Sequence, residues 1–179
     1  MSASTAEEMR AAFRGAMARF TTGVTIVTTR TPNGPAGMTA SAVASVSLDP
    51  LLLLVCVGNT LATRDAISAS GVFAVSVLSR DQERHALRFA SRCDDKFAGV
   101  GLRADHDIPV VAGSVAHFAC NVHEEIAGGD HTIFIGEVLS CGYSVDPDPL
   151  VHFGGKFGSL CDPRSHAQLA FDWQLASSV

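Results

Sequence analysis

Apolar residues recur at Met9, Phe13, Met17 and Phe20, the interval of a single helix face. Ahead of them Thr5-x-x-Glu8 has the form of a capping box, in which hydroxyl and carboxylate satisfy free backbone donors. The pattern predicts a helix that stops near Thr22-Gly23. Val24 to Thr29 then reads as a β-type run, and Asn33-Gly34 within Pro32–Pro35 predicts a hairpin turn. Gly37 to Ser47 reads as extended, yet it consists of small and hydroxyl residues. Leu51 to Val57 suits a strand buried on both faces. Asn59-Thr60 is placed to cap a short helix through Ile67, and Val72 to Leu78 is another strand. Ser79-x-x-Gln82 opens a helix ending near Ala90, followed by a polar loop with Lys96-Phe97. Strands over Val115–Ile126 and Thr132–Tyr143 are joined by Ala127-Gly-Gly-Asp130, and a last one, Leu150–Phe153, leads into Gly154–Gly158. Closely spaced strands with few helices predict a mainly β protein with peripheral helices, an antiparallel barrel or sandwich. The βαβα alternation of a doubly wound sheet is missing. One domain over residues 1–161 is expected, with a weakly patterned tail over 162–179.

Composition narrows the function classes. About half of the 179 residues are apolar (47%) and 17% are charged, enough for a sizeable core. Thirteen Lys and Arg against eighteen Asp and Glu give a net charge of −5, so there is no general attraction for nucleic acid or an anionic membrane. The five cysteines are widely spaced with no Cys-x-x-Cys, which suggests neither a zinc site nor a disulfide framework but a reduced, cytoplasmic protein. The first residues lack a basic segment followed by an apolar one, so no signal peptide is expected. Leu51–Val57 is too short to cross a bilayer.

Candidate chemistry concentrates in a few places. In Thr39-x-Ser41-x-x-x-Ser45-x-Ser47 the hydroxyls fall on odd positions, so an unbroken strand would carry them on one face. Such a row admits a flat ligand to the backbone and offers donors to carbonyl or phosphate oxygens; it is equally a solvated face or a set of cross-strand pairs. Asn59, Thr60, Thr63 and Arg64 stand where a strand turns into a helix, a place that holds a phosphate or is simply an N-cap. Phe89-Ala-Ser-Arg92 and Lys96-Phe97 combine aromatics with cations, as a pocket wall or as core beside a charged loop. Asp130 is placed to orient His131, which then meets a ligand or stays exposed. Gly99-x-Gly101-x-x-Ala104 matches a dinucleotide fingerprint but follows no strand and is rejected. His117 and His123 share a strand face without a third ligand, so no metal site is expected.

Taken in order, Phe20-Thr-Thr-Gly-Val-Thr-Ile-Val27, Gly37-Met-Thr-Ala-Ser41, Ser45-Val-Ser-Leu-Asp-Pro50, Phe73-Ala-Val-Ser-Val-Leu78, Phe89-Ala90, Lys96-Phe97, Gly129-Asp-His131 and Gly136-Glu-Val138 resemble the short-chain flavin reductases. These are the reductase components of two-component flavin-dependent monooxygenases. The resemblance covers about Met9 to Leu160. It implies an FMN-binding split β-barrel, a Greek-key antiparallel barrel, normally a homodimer with flavin near the subunit interface. It implies hydride transfer from NADH (NADPH as the alternative) to FMN (or FAD), with reduced flavin passed to a partner monooxygenase. The flavin ring would lie against Met38, Thr39, Ala40, Ser41, Ser45, Val46 and Ser47, beside Cys56 and Val57. Its phosphate would meet Asn59, Thr60 and Thr63, together with Ser91 and Lys96. Phe89, Ala90 and Phe97 would shape the pocket, and His131 would position the nicotinamide. Phe153-Gly-Gly-Lys-Phe157 stands where relatives often carry Tyr or Arg. The rival readings are a non-catalytic FMN-binding or electron-transfer module and an FMN-dependent oxidase on the same barrel.

Overall fold

A computed structural model describes residues 3–93 and 95–160. The proposed tail over 162–179 and Cys161 lie outside the described residues. Helix α1 (Ala3–Met17) begins two residues before Thr5, so Thr5 sits within its first turn. The apolar stripe forms the expected helix but does not enter the core: Met9, Phe13, Met17 and Phe20 are 52–68% exposed.

After β1 (Thr22–Gly23), strands β2 (Thr25–Thr31) and β3 (Gly34–Ala40) make the expected hairpin. Its loop is Pro32-Asn33, one residue earlier than Asn-Gly, and only Gly34 takes positive φ, at 118°. Next come β4 (Val43–Leu48), β5 (Leu51–Gly58), α2 (Ala62–Ser70), β6 (Val72–Val77), a single 3-10 turn (Arg80–Gln82) and α3 (Glu83–Ala90). The Ser79 N–H donates to the Gln82 side chain at 3.0 Å, as the capping pattern predicts. The long strands β9 (Ala116–Gly128) and β10 (His131–Tyr143) follow the hairpin β7 (Leu102–Asp105) and β8 (Ile108–Val111). The hairpin β11 (Leu150–Phe153) and β12 (Lys156–Ser159) closes the described chain.

Seven strands form one antiparallel sheet in the order β3-β2-β6-β9-β10-β5-β4. Its two outermost strands, β3 and β4, are joined by Ser41 and Ala42 alone. So short a link spans only ~10 Å, so the sheet must curl until its edges meet there. The link stays paired there: the Cys56 N–H donates to the Ala42 carbonyl at 3.0 Å, which extends the β4–β5 ladder into the link. Residues 34–48 are thus one extended segment that pairs with β2 along its first half and β5 along its second. This change of partner splits the barrel. It also breaks the expected hydroxyl row, because Thr39 belongs to β3, Ser41 to the link, and Ser45 and Ser47 to β4 across a register shift.

The barrel is filled by Val27, Leu53, Val55, Val57, Phe73, Val75, Cys120 and Phe134, with Ile67 of α2. Fully burying a side chain such as Phe or Val is worth about 1.5–3 kcal/mol, which makes this layer the main source of stability. On β5 only one face is fully buried (Leu53, Val55, Val57); Leu52, Leu54 and Cys56 are half-buried, so the two-faced burial expected of this run is not observed. A second cluster of Val24, Ile26, Leu78, Ala86, Phe89 and Leu150 lies under α3. The β7–β8 hairpin, absent from the sequence reading, turns through His106 and Asp107, both in the left-handed region. Gly101 therefore leads into a strand, not into a nucleotide-binding helix. Asp105 of this hairpin lies 3.1 Å from Nε2 of His117 on β9, so His117 is engaged with a carboxylate inside the fold.

Candidate functional site

The expected site residues gather around the split, in three groups. On the β3 side, the Thr39 hydroxyl donates to the Ala86 carbonyl of α3 at 2.6 Å, and Ala40 is buried with its carbonyl accepting from Thr25. Met38 packs on the barrel core. Phe89 is a core residue, edge-on to Phe97 with centroids 4.8 Å apart. Lys96 reaches back to the Phe89 carbonyl at 3.0 Å, while Ala90 and Ser91 are exposed at the end of α3. This group holds α3 against β3, with its exposed atoms at the helix end.

The second group is the turn after β5. The register pairs Gly58 with His131, which brings Asn59 beside the β9–β10 turn. The Asn59 N–H donates to the Asp130 carbonyl at 3.0 Å, and its side-chain amide to the Gly129 carbonyl at 3.1 Å. The Thr132 hydroxyl donates to Asn59 Oδ1 at 2.9 Å and accepts from Arg64 Nε at 3.2 Å. Asn59 is thus committed to joining two turns, and α2 starts later than expected, with Leu61 as its uncapped N-cap. Thr60 is exposed just before that start, and Thr63 is buried in the first turn. The Leu61 and Arg64 N–H groups donate to the Gly58 and Leu61 carbonyls, and Arg64 also pairs with Asp65 at 3.1 Å. The helix start, with the Thr60 hydroxyl and the Arg64 guanidinium beside it, has the composition of an anion seat.

His131 projects from the same turn, half exposed, with Nδ1 2.7 Å from Asp130 Oδ1. Hydrogen bonding and charge attraction from His131 hold the Asp130 carboxyl below the usual range. The carboxylate therefore orients the ring, as a carboxylate–imidazole pair does, and leaves Nε2 beside Gly58.

The third group lies at the link. Ser41, with Ala42 to Ala44, lines a cleft of about 790 Å3 whose other walls are Thr22, Thr25, Leu54, Val77, His152 and the end of α1. Beyond it on β4, Ser45 and Val46 are exposed and Ser47 accepts from the Asp49 N–H. Burial pushes the Cys56 thiol up, and Val57 faces the barrel core. The cleft residues outside 41–44 were missed. Their only mark in the sequence is the apolar period of α1, which serves a core helix equally well.

Because Ala42 bonds Cys56, the cleft and the Asn59–Thr60 turn lie three strand residues apart, about 10 Å. A family model described as the flavin reductase like domain matches residues 17–160. The chain belongs to that family. Among flavin reductase relatives, the FMN reductase (NADH) SmoA of Agrobacterium fabrum is 44% identical over 147 residues, 82% of this chain and 83% of its own. The reductase subunit HsaB of a flavin-dependent monooxygenase from Rhodococcus jostii is 37% identical, over 83% of this chain and 76% of its own. The NADH:FAD oxidoreductase SgcE6 of Streptomyces globisporus, solved in complex with NAD and FAD fragments, superposes with a TM-score of 0.82 at 39% identity. That match covers 87% of this chain and 94% of the other. The split barrel is thus the fold of this family's solved reductases.

Proposed function

We propose that this flavin reductase-like protein oxidises NADH, reduces FMN, and supplies the reduced flavin to a partner monooxygenase. The observation that carries this reading is an open cleft lined by the hydroxyl-bearing link, with the anion seat three strand residues beyond the Ala42–Cys56 bond. A flat ring joined to a phosphate has that sequence of needs. The cleft volume, about 790 Å3, falls in the range of roughly 300–1,000 Å3 typical of small-molecule sites.

FMN held there supplies the hydride acceptor. Thr60, Arg64 and the N-terminal end of α2 hold its phosphate. Ser41 and the backbone of 41–44 line the ring and orient it, and N–H groups at the link stabilise negative charge gained on reduction. His131, fixed by Asp130, binds the nicotinamide side of NADH. Hydride transfer needs no protein acid or base, only two rings brought to about 3–3.5 Å, so positioning is the chain's task. FAD and NADPH are the alternative nucleotides.

The protein acts as a cytoplasmic homodimer in this reading. Supporting it, α1 presents Met9, Phe13 and Met17 to solvent, and β4 and β5 present Val46, Leu48 and Leu51. Apolar patches of that kind mark association surfaces. A Phe13→Glu, Met17→Glu variant is expected to sediment as a monomer while the parent sediments as a dimer; a monomeric parent contradicts this. The function itself is tested by NADH oxidation with FMN, FAD or riboflavin added in excess. Turnover proportional to added flavin is expected, and a rate indifferent to flavin refutes it.

A further inference from the structure

We propose that Thr22 and His152 form the polar end of the cleft and hold a planar amide edge. That edge is either the carboxamide of the nicotinamide or the imide edge of the flavin ring. The inference rests on the flavin reductase reading and adds two residues to its site.

Thr22 and His152 are directly paired across β1 and β11, so their side chains share one face. Both line the cleft, in a wall otherwise built largely of Phe13, Met17, Phe20, Val43 and Leu54. The Thr22 hydroxyl is buried and has no hydrogen-bond partner. Buried unpartnered hydroxyls are uncommon and costly, so one beside an open cleft marks a place where an incoming group completes the bonding. The His152 ring is set by an edge contact with Phe157, with centroids 5.8 Å apart. Among the described residues its nitrogens form no hydrogen bond or ion pair.

The chemistry selects the ligand class. A hydroxyl donates and accepts, and a neutral imidazole donates through one nitrogen and accepts through the other. Together they match the donor and acceptor of an amide. Among the described residues Arg14 is the one Lys or Arg lining the cleft, and the paired donor and acceptor of Thr22 and His152 suit an amide better than the all-acceptor edge of a phosphate. The anion seat, by Thr60 and Arg64, lies outside the cleft, beyond the Ala42–Cys56 bond.

The test uses Thr22→Val, Thr22→Ser, His152→Phe and His152→Gln in the full chain. Flavin Kd is measured by fluorescence without nicotinamide, NADH KM and kcat in steady state, and Tm by thermal melting. Thr22→Val keeps the shape and removes the orphan, so it should melt above the parent. It should nonetheless lose about tenfold in one affinity, as loss of a single hydrogen bond does, with kcat little changed. His152→Phe keeps the ring contact and should show the same loss; Thr22→Ser and His152→Gln should restore most of it. A raised flavin Kd assigns the edge to the flavin, and a raised NADH KM with flavin Kd unchanged assigns it to the nicotinamide. Thr22→Val and His152→Phe proteins with both affinities within about twofold of the parent overturn the proposal. A parent without flavin-dependent NADH turnover refutes the functional reading instead, and is seen before any variant is made.

Discussion

Asp130 Oδ1 lies 2.7 Å from His131 Nδ1, at the head of β10 and one residue beyond the turn that binds Asn59. Replacing His131 by Ala should therefore raise the NADH KM several-fold more than it raises the flavin Kd. Asp130→Asn should do the same to a smaller degree, because the ring remains but loses its fixed orientation. Equal effects on both nucleotides would remove His131 from the nicotinamide side. The hydrogen bond from His131 lowers the Asp130 pKa, so the carboxylate's contribution is present above its unfolded value and lost as pH falls through the lower folded value. The parent should thus approach Asp130→Asn behaviour only below about pH 4, in steady-state assays on protein that stays folded.

The anion seat predicts a difference between flavins. Thr60→Ala, alone or with Thr63→Ala, should weaken FMN binding by roughly three- to tenfold and leave riboflavin binding unchanged, since riboflavin has no phosphate. Fluorescence titration with each ligand reads this directly. The single variant should keep its Tm because Thr60 is exposed, whereas the buried Thr63 adds a stability loss in the double variant.

Gly136 of β10 has no room for a side chain: a Cβ there would lie 2.4 Å from Phe73 Cζ and 2.9 Å from Cys120 Cβ. Phe73 is fully buried and cannot step aside. Gly136→Ala should cost about 1–3 kcal/mol of unfolding free energy in a denaturant titration. An unchanged midpoint would show that the barrel interior is looser than described.

The cysteines divide by environment. Burial, with a smaller effect from Cys141, pushes Cys120 up to about 12, whereas Cys93 and Cys141 are exposed. A thiol reagent should modify Cys93 and Cys141 in the native protein and reach Cys120 only on unfolding, as peptide mapping would show. The raised value means that the folded state keeps the proton while the unfolded state releases it above about pH 9. Stability should fall by roughly 1.4 kcal/mol per pH unit above that point. A Tm that is flat from pH 8 to pH 10.5 would contradict this.

Much of the barrel was legible because its strands carry strong local signals: the hairpin near Asn33-Gly34, the Leu51–Val57 run, and the Ser79–Gln82 cap. What was not legible depends on distant partners. The β7–β8 hairpin turns through His106 and Asp107, which advertise a left-handed turn far less than glycine does. The α1 period was clear, but periodicity does not say whether a face meets the core or solvent. The hydroxyl row from Thr39 to Ser47 was visible as composition. Its break at Ser41–Ala42 follows from the strand changing partner from β2 to β5, which no local pattern records. Asn59 looked like a cap because strand-to-helix junctions favour one. Its bonds to Gly129 and Thr132 come from residues some seventy positions away.

The most direct test of the central claim is an anaerobic mixture of the protein with NADH and a large excess of FMN, followed through both chromophores. The account predicts one NADH consumed for each FMN bleached, far beyond the amount of protein present. Bleaching that stops at one flavin per chain, or no loss of NADH, would contradict it and leave a protein that holds flavin without supplying it.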